Sequence, residues 1–316
     1  MTFDPHAAPT VALPGGKEND SWFEWLLATR HGGDAAYAAA LQPMLDDIRG
    51  RLLDHARLEP GMRIADVGSG AGFAGFGTLE RQPTSEITFV DISPALLAHA
   101  RDAAQRRGVA ERCRFINASA EALDGIADAS IDIVLVRAVL AYLSDRGAAI
   151  REFRRILRPG GRISIVEPIF QDQAFAVAGL ASQLRSGDCG PAGRYLELLH
   201  RWRSAHFPDS VAEIQRDPLT SYNERDLLRL LENAGFVEVH LRLHIDSIRA
   251  LPMPWAAFLA GSPYADAPSM GEILQTRFAP DERIEFERLF RTDIEAGATV
   301  ERNVNAYLFA QTPPIV

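Results

Sequence analysis

The segment MRIADVGSGAGFAGFG, Met62 to Gly77, constrains the fold of this chain more than any other stretch. RIADV has the near-continuous apolar character of a strand buried on both faces. Behind it stand glycines at 68, 70, 72, 75 and 77. A residue without Cβ admits left-handed turns and lets another group approach the backbone. A glycine run that leaves a buried strand and opens a helix therefore turns tightly, offers free N–H groups and makes room for a ligand. Asp66, Gly68, Gly70 and Gly72 carry that spacing. Glycine also punctuates plain turns, and one such fingerprint alone equally fits a dinucleotide fold.

The chain keeps the same rhythm as far as Pro168. EITFVDIS reads as a second strand, PALLAHARDAAQRRG as a helix opened by proline and CRFINAS as a third strand. SIDIVLVRAV reads as a fourth strand, RGAAIREFRRILRPGG as a helix stopped by Pro159 and Gly160, and RISIVEPIF as a fifth strand. Apolar strands alternating with amphipathic helices predict a parallel sheet covered on both faces. Upstream, residues 1–20 read as a loose arm, and helical patterning from Ser21 breaks at Gly32 and Gly33. Downstream, NERDLLRLLENAGF is a helix with Asn223 as its cap, VEVHLRLHI a strand, and RNVNAYLFAQ a closing strand. The expected organisation is an arm and helices at 1–59, a cofactor-binding core at 60–168, and a helical insertion at 169–222. A core helix and strand follow at 223–246, then a second insertion at 247–300 and the last core strand at 301–316. Both insertions are too long for connections and too apolar for disorder, so they read as one largely helical cap.

The second strand sharpens the ligand. Its last residue, Asp91, stands about 20 residues beyond the glycines, where a carboxylate accepts hydrogen bonds from ribose hydroxyls. NAD and a nucleoside such as S-adenosylmethionine both carry that ribose. Two features favour the nucleoside: no cationic partner for a pyrophosphate is evident, and Asp66 beside a diphosphate would be repulsive.

Taken in order, ADVGSGAG, VDIS, NASAE, DIVLVRAVLAYL and EFRRILRPGGRISIVEP resemble the class I S-adenosylmethionine-dependent methyltransferases. The resemblance covers residues 60–168, and 223–245 and the final strand are consistent with it. It implies an α/β fold: a Rossmann-like, seven-stranded, mostly parallel sheet with an antiparallel last strand. It also implies S-adenosyl-L-methionine as cofactor. Gly68, Gly70 and Gly72, with Ser69 among them and Asp66 before them, would wrap its amino-acid end. Asp91 would take the ribose, Ile92 would pack on the adenine face, Ser119, Ala120 and Glu121 would lie along the adenine, and Arg137 would sit at the methionine end. The chain departs from the family in two places. Ser69 stands where many relatives have cysteine, and the usual acid near the adenine amino group is replaced by Ala118 and Ser119, leaving Asn117 or Glu121 for that task.

Methyl transfer is an in-line displacement for which positioning supplies much of the rate. A base is needed only where the acceptor must lose a proton. The candidates for the acceptor side are positional. His200 and His206 flank Trp202 and titrate near neutrality, although both also suit cap packing. Glu167 ends the fifth strand, where ligands of open α/β sheets bind, and it can instead cap a neighbouring turn. Tyr37 and Tyr142 can touch cofactor or acceptor, or simply bury their rings. His31 lies between two helices and borders either a ligand or a cap. His240 and His244 share a strand face without a carboxylate or cysteine at metal spacing, so no metal is expected.

Composition narrows the partners. Forty-two acidic against 33 basic residues give a net charge of −9, without the basic footprint of a nucleic-acid binder. Two cysteines, Cys113 and Cys189, build neither a disulfide framework nor a thiolate cluster. No basic-then-apolar leader and no run of about 18 apolar residues occurs, so a cytoplasmic protein without a membrane span is expected. Aromatic residues in the insertions suit an enclosed site for a small, partly apolar metabolite, such as a natural-product intermediate. The apolar N-terminal helices leave a homodimer open. Three other readings stand beside methyl transfer: an NAD-dependent oxidoreductase, a non-catalytic S-adenosylmethionine-binding protein, and a protein that keeps the sulfonium only as a positive charge.

Overall fold

A computed structural model describes residues 20–187 and 189–314; most of the expected N-terminal arm lies outside them. Helices α1 (Ser21–Glu24) and α2 (Ala35–Ala56) precede β1 (Arg63–Val67), α3 (Phe73–Arg81), β2 (Glu86–Asp91), α4 (Pro94–Arg106) and β3 (Cys113–Asn117). Then come β4 (Ile131–Arg137), α5 (Arg146–Ile156), β5 (Leu157–Pro168), α6 (Phe170–Ser186), α7 (Gly193–Arg203), α8 (Val211–Ile214) and α9 (Glu224–Asn233). The chain ends with β6 (Val237–Arg249), α10 (Trp255–Ala260), α11 (Met270–Arg277), α12 (Pro280–Glu295) and β7 (Val300–Gln311).

The described residues divide into two compact units, one drawn from 20–45, 173–214 and 246–302, the other from 46–172, 215–245 and 303–314. The seven strands form one sheet in the order β3-β2-β1-β4-β5-β7-β6. β1 pairs in parallel with β2 and β4, β2 with β3, and β4 with β5, whereas β7 runs antiparallel to β5. Ile64, Ile133 and Leu135 are buried with Leu52, Leu53, Phe76 and Phe89 in one cluster. Val67, Val134, Val136 and Ile165 are buried with Phe153, Leu227 and Leu231 in another. Strands buried on both faces explain the unbroken apolar runs of the sequence.

Local chemistry sets the helix starts. Ser93 accepts the Leu96 N–H ahead of Pro94, and Asn223 and Asp226 form a reciprocal capping box on α9. Several boundaries differ from the sequence reading; the fifth strand, for one, ends at Pro168, and Phe170 already opens α6. α5 ends at Ile156 rather than at Pro159, because Leu157 already pairs with Ile131 as the first residue of β5. β6 runs on to Arg249 and β7 begins at Val300, so the second insertion is shorter than its pattern suggests. Gly75 and Gly77 answer a packing demand. A Cβ on Gly75 would lie 2.3 Å from the Phe89 ring, and one on Gly77 2.6 Å from Arg49 Cδ.

The first unit has a core of its own. Leu198, Trp255, Ile273, Phe286 and Phe290 are buried there. The Trp202 indole packs edge-on to Phe258, Phe286 and Phe290 at 5.2 to 6.1 Å. Much of the aromatic content of the insertions is therefore this core.

Candidate functional site

β1 delivers the glycine loop at the carboxyl end of the sheet. The N–H groups of Gly68 and Ser69 both donate to the Val90 carbonyl, at 2.8 and 3.0 Å, which ties the loop to β2. Gly68, Gly70 and Gly72 have positive φ of 67°, 53° and 90°. At Gly68 the demand is double, because a Cβ there would also stand 2.2 Å from Val139 Cγ2. Asp66, 2 % exposed, accepts the Gly75 N–H at 2.7 Å and so fixes the first turn of α3. Burial, helped by Asp91, pushes its carboxyl up to about 7 against the lowering by that N–H and by Arg137.

Asp91 braces two elements at once. Its Oδ2 accepts the Gly70 N–H at 2.7 Å and its Oδ1 the Ser93 N–H at 2.9 Å. The carboxylate thus links the glycine loop to the start of α4. Ile92 beside it is 54 % exposed, an apolar side chain presented outward next to the loop. Asn117 Nδ2 donates to the carbonyls of Asp91 and Ile92 at 2.9 and 3.0 Å and holds this corner. Ser119 accepts the Glu121 N–H, Ala120 is buried, and the Glu121 carboxylate accepts from Ser144 Oγ and the Asp145 N–H. Arg137 lies over the Phe73 ring at 4.7 Å.

The loop itself supplies a test of fit for a bound nucleoside. Ser69 Oγ is buried and has no hydrogen-bond partner. A buried hydroxyl left unpaired is costly, and this one sits in a turn where no Cβ is tolerated at Gly68. Both features fit a polar ligand group seated on the loop.

The acceptor-side candidates separate. Glu167 is fully buried and its carboxylate accepts the N–H groups of Val139, Leu140 and Ala141 at 2.8, 3.0 and 3.2 Å. Burial pushes it up to about 7, against the lowering by those N–H groups and Arg146. Tyr142 lies on the same loop, half-buried, 6.4 Å from the Phe170 ring. His200, His206 and Tyr37 belong to the first unit. His200 Nε2 meets Asp209 at 2.9 Å. His206 Nε2 lies 2.9 Å from the Pro268 carbonyl, so that nitrogen carries the proton and donates. Burial lowers the pKa of the His206 ring. The Tyr37 ring stands edge-on to His31 at 6.2 Å, and burial with Glu301 pushes its hydroxyl up to about 12.

Two residues of this region escaped the sequence reading. Val139, an ordinary apolar residue by pattern, roofs Gly68. Arg146 opens α5, and its guanidinium donates to the Leu140 and Ala141 carbonyls at 2.8 and 3.3 Å. A cation in the first turn opposes the helix dipole, which was a legible sign that Arg146 has other business. Among the described residues, no three His, Cys, Asp or Glu side chains gather as a metal-holding group, and no helix is long and apolar enough to cross a membrane.

Comparison with known proteins points to one family. The model of the "Methyltransferase domain" family matches residues 65–165. The Ubiquinone/menaquinone biosynthesis C-methyltransferase UbiE of Shewanella sediminis is 31 % identical over 203 residues, covering 63 % of this chain and 76 % of that protein. Its counterpart from Shewanella halifaxensis is 26 % identical over the same share of each. The crystal structure of MccD protein superposes with a TM-score of 0.50 at 13 % identity, covering 85 % of this chain and 98 % of that one, a likeness of fold. The dinucleotide alternative falls away with these matches, and S-adenosyl-L-methionine is the cofactor they imply. The chain belongs to the class I S-adenosylmethionine-dependent methyltransferases.

Proposed function

We propose that the chain methylates a carbon atom of a small, partly apolar metabolite by in-line displacement. The observation that carries this is a relative 31 % identical over 76 % of its length whose name gives C-methylation in quinone biosynthesis. The Tyr142–Phe170 ring pair, on the segments that follow β4 and β5, supports an acceptor with an apolar ring or chain. A natural-product intermediate meets that description.

When bound, S-adenosylmethionine supplies an electrophilic methyl group on a sulfonium. In this proposal the Ser69 hydroxyl, which has no partner among the described residues, serves its amino-acid end. Gly68, Gly70 and Gly72 let the backbone come close, their N–H groups spent on Val90, Asp91 and Ser69 to hold the loop; Asp66 holds the turn and Arg137 stands at the methionine end. Asp91 receives the ribose hydroxyls while keeping the loop and α4 in register. Ile92 packs on the adenine, with Ser119, Ala120 and Glu121 along its edge. Tyr142 orients the acceptor. Glu167 is not offered as a base, because its oxygens already hold three N–H groups. His200 and His206, held by Asp209 and Pro268, have packing roles in this reading.

Isothermal titration with S-adenosylmethionine and with NAD is the first test: micromolar binding of the former and none of the latter is expected, and the reverse overturns the cofactor assignment. Mass detection of methyl transfer to a panel of quinol and phenolic metabolites tests the acceptor class. Transfer confined to hydroxyl or amine acceptors overturns carbon methylation. Within the site, Asp91→Ala loses two N–H acceptances and should weaken S-adenosylmethionine binding by about 10- to 100-fold. His200→Ala should change it less than about 3-fold, as expected for a surface pair. An inverted ranking contradicts the residue roles.

A further inference from the structure

The segment after β4 is an unusual loop. Ala138, not a glycine, sits at φ 52°. Such a conformation persists only when its surroundings over-determine it. The surroundings are two opposite charges. On one side, Glu167 gathers the N–H groups of three consecutive residues, Val139, Leu140 and Ala141, on a carboxylate with no solvent exposure. On the other, Arg146 gathers the Leu140 and Ala141 carbonyls. Arg146 is itself seated: its guanidinium donates to the Pro218 carbonyl and lies 4.1 Å over the Tyr222 ring, whose hydroxyl donates to the Pro168 carbonyl at 3.0 Å. Ala138 N–H donates to the Val166 carbonyl at 2.9 Å, one residue before Glu167. Both hydrogen-bonding faces of the loop are thus clamped, and the clamp is anchored in β5.

The held object is Val139. Its Cγ2 occupies the space that a Cβ on Gly68 would need, 2.2 Å from that position. The Val139 isopropyl group thus packs on the face of Gly68 that a side chain would take, while the Gly68 N–H stays tied to Val90. A chain of direct contacts therefore runs from Glu167 through the Val139 N–H, then through the isopropyl group, to the first glycine of the cofactor loop.

We infer that Glu167, with Arg146, is a positioning residue that sets the cofactor loop through Val139 and thereby the placement of the methyl donor. This rests on the reading of that loop as the S-adenosylmethionine site. Glu167 touches neither reacting group in this role. It fixes the strained loop from which Val139 faces the donor side and Tyr142 follows three residues later, so one buried carboxylate serves both.

Binding of S-adenosylmethionine by calorimetry in wild type, Glu167→Gln, Val139→Ala and the double variant is the test, with amide exchange read alongside. Glutamine keeps one carbonyl acceptor but turns an NH2 toward the N–H groups. The E167Q chain should fold, with β4 and β5 amides protected as in wild type, while the amides of residues 139–141 exchange about 10-fold faster. Affinity should fall by about 10-fold in E167Q. In the Val139→Ala background the same substitution should matter less than about 2-fold, because the transmitting side chain is gone. Glu167→Asp, which keeps the charge on a shorter arm, should recover part of the affinity. A purely structural acid would give additive losses, and additivity overturns the inference. Undiminished affinity in E167Q does so as well. Should E167Q fail to fold, the Glu167→Asp variant carries the same cycle. Absence of binding by the wild-type chain overturns the cofactor reading and this inference with it, an outcome distinct from loss of the coupling alone.

Discussion

Gly68→Ala should abolish useful S-adenosylmethionine binding, and Val139→Ala should restore part of it. Two costs combine at this position. Alanine at φ 67° pays for a left-handed backbone, about 1 to 2 kcal/mol. Its methyl group would stand 2.2 Å from Val139 Cγ2, an overpacking of about 1 to 3 kcal/mol relieved only by moving one of the two loops. Together they predict a loss of roughly 100-fold in affinity. Removing both Val139 methyls leaves its Cβ at 3.3 Å, a tight contact that a shift of a few tenths of an ångström relieves, so the backbone cost dominates. The double variant should therefore recover about 10-fold over Gly68→Ala in calorimetric titration. A double variant as weak as the single one would mean that the backbone conformation alone excludes the side chain.

The second large effect concerns pH. Asp66 and Glu167 are both pushed up to about 7 by burial. A carboxyl that holds its proton to higher pH in the native state than in the unfolded chain lowers stability as pH rises between the two values. Below about pH 4 both states are protonated and the groups are silent; between about 4 and 7 the unfolded chain alone is ionised; above about 7 the penalty is complete. Each group then costs the native state on the order of 3 kcal/mol. Asp66→Asn keeps an acceptor for the Gly75 N–H and removes the charge. Its stability relative to wild type, from urea unfolding, should improve by roughly 2 kcal/mol between pH 5 and pH 8. Parallel curves for the two proteins would show that Asp66 is ionised at little cost.

Much of the core was legible because its signals are local. RIADV, EITFVD and IDIVLVR are apolar runs that only a doubly covered strand accommodates, and each became one. Asn223 announced its helix as a cap that depends on a neighbour three residues away, and Pro94 announced another by opening it. The antiparallel last strand came from family resemblance, since no local pattern tells a strand its direction. What stayed hidden depends on distant partners. Nothing around Val139 says that Gly68, 71 positions earlier, will lie beneath it, and nothing around Glu167 says that three N–H groups converge on its carboxylate. The boundary between α5 and β5 was misread for a related reason: RRILRPGG carries helix-stop signals, but Leu157 answers to Ile131 across the sheet. Trp202 and its neighbours were legible as core for the insertions themselves, while their edge-on pairing with Phe258, Phe286 and Phe290 was not.

The place of β7 has a consequence for how the protein is made. It lies between β5 and β6, yet it is made after both of them. Until its residues emerge, β5 presents an unpaired edge and β6 has no neighbour on that side. Open edges of this kind are where nascent chains pair wrongly. The sheet is thus closed by an insertion rather than by growth from one side.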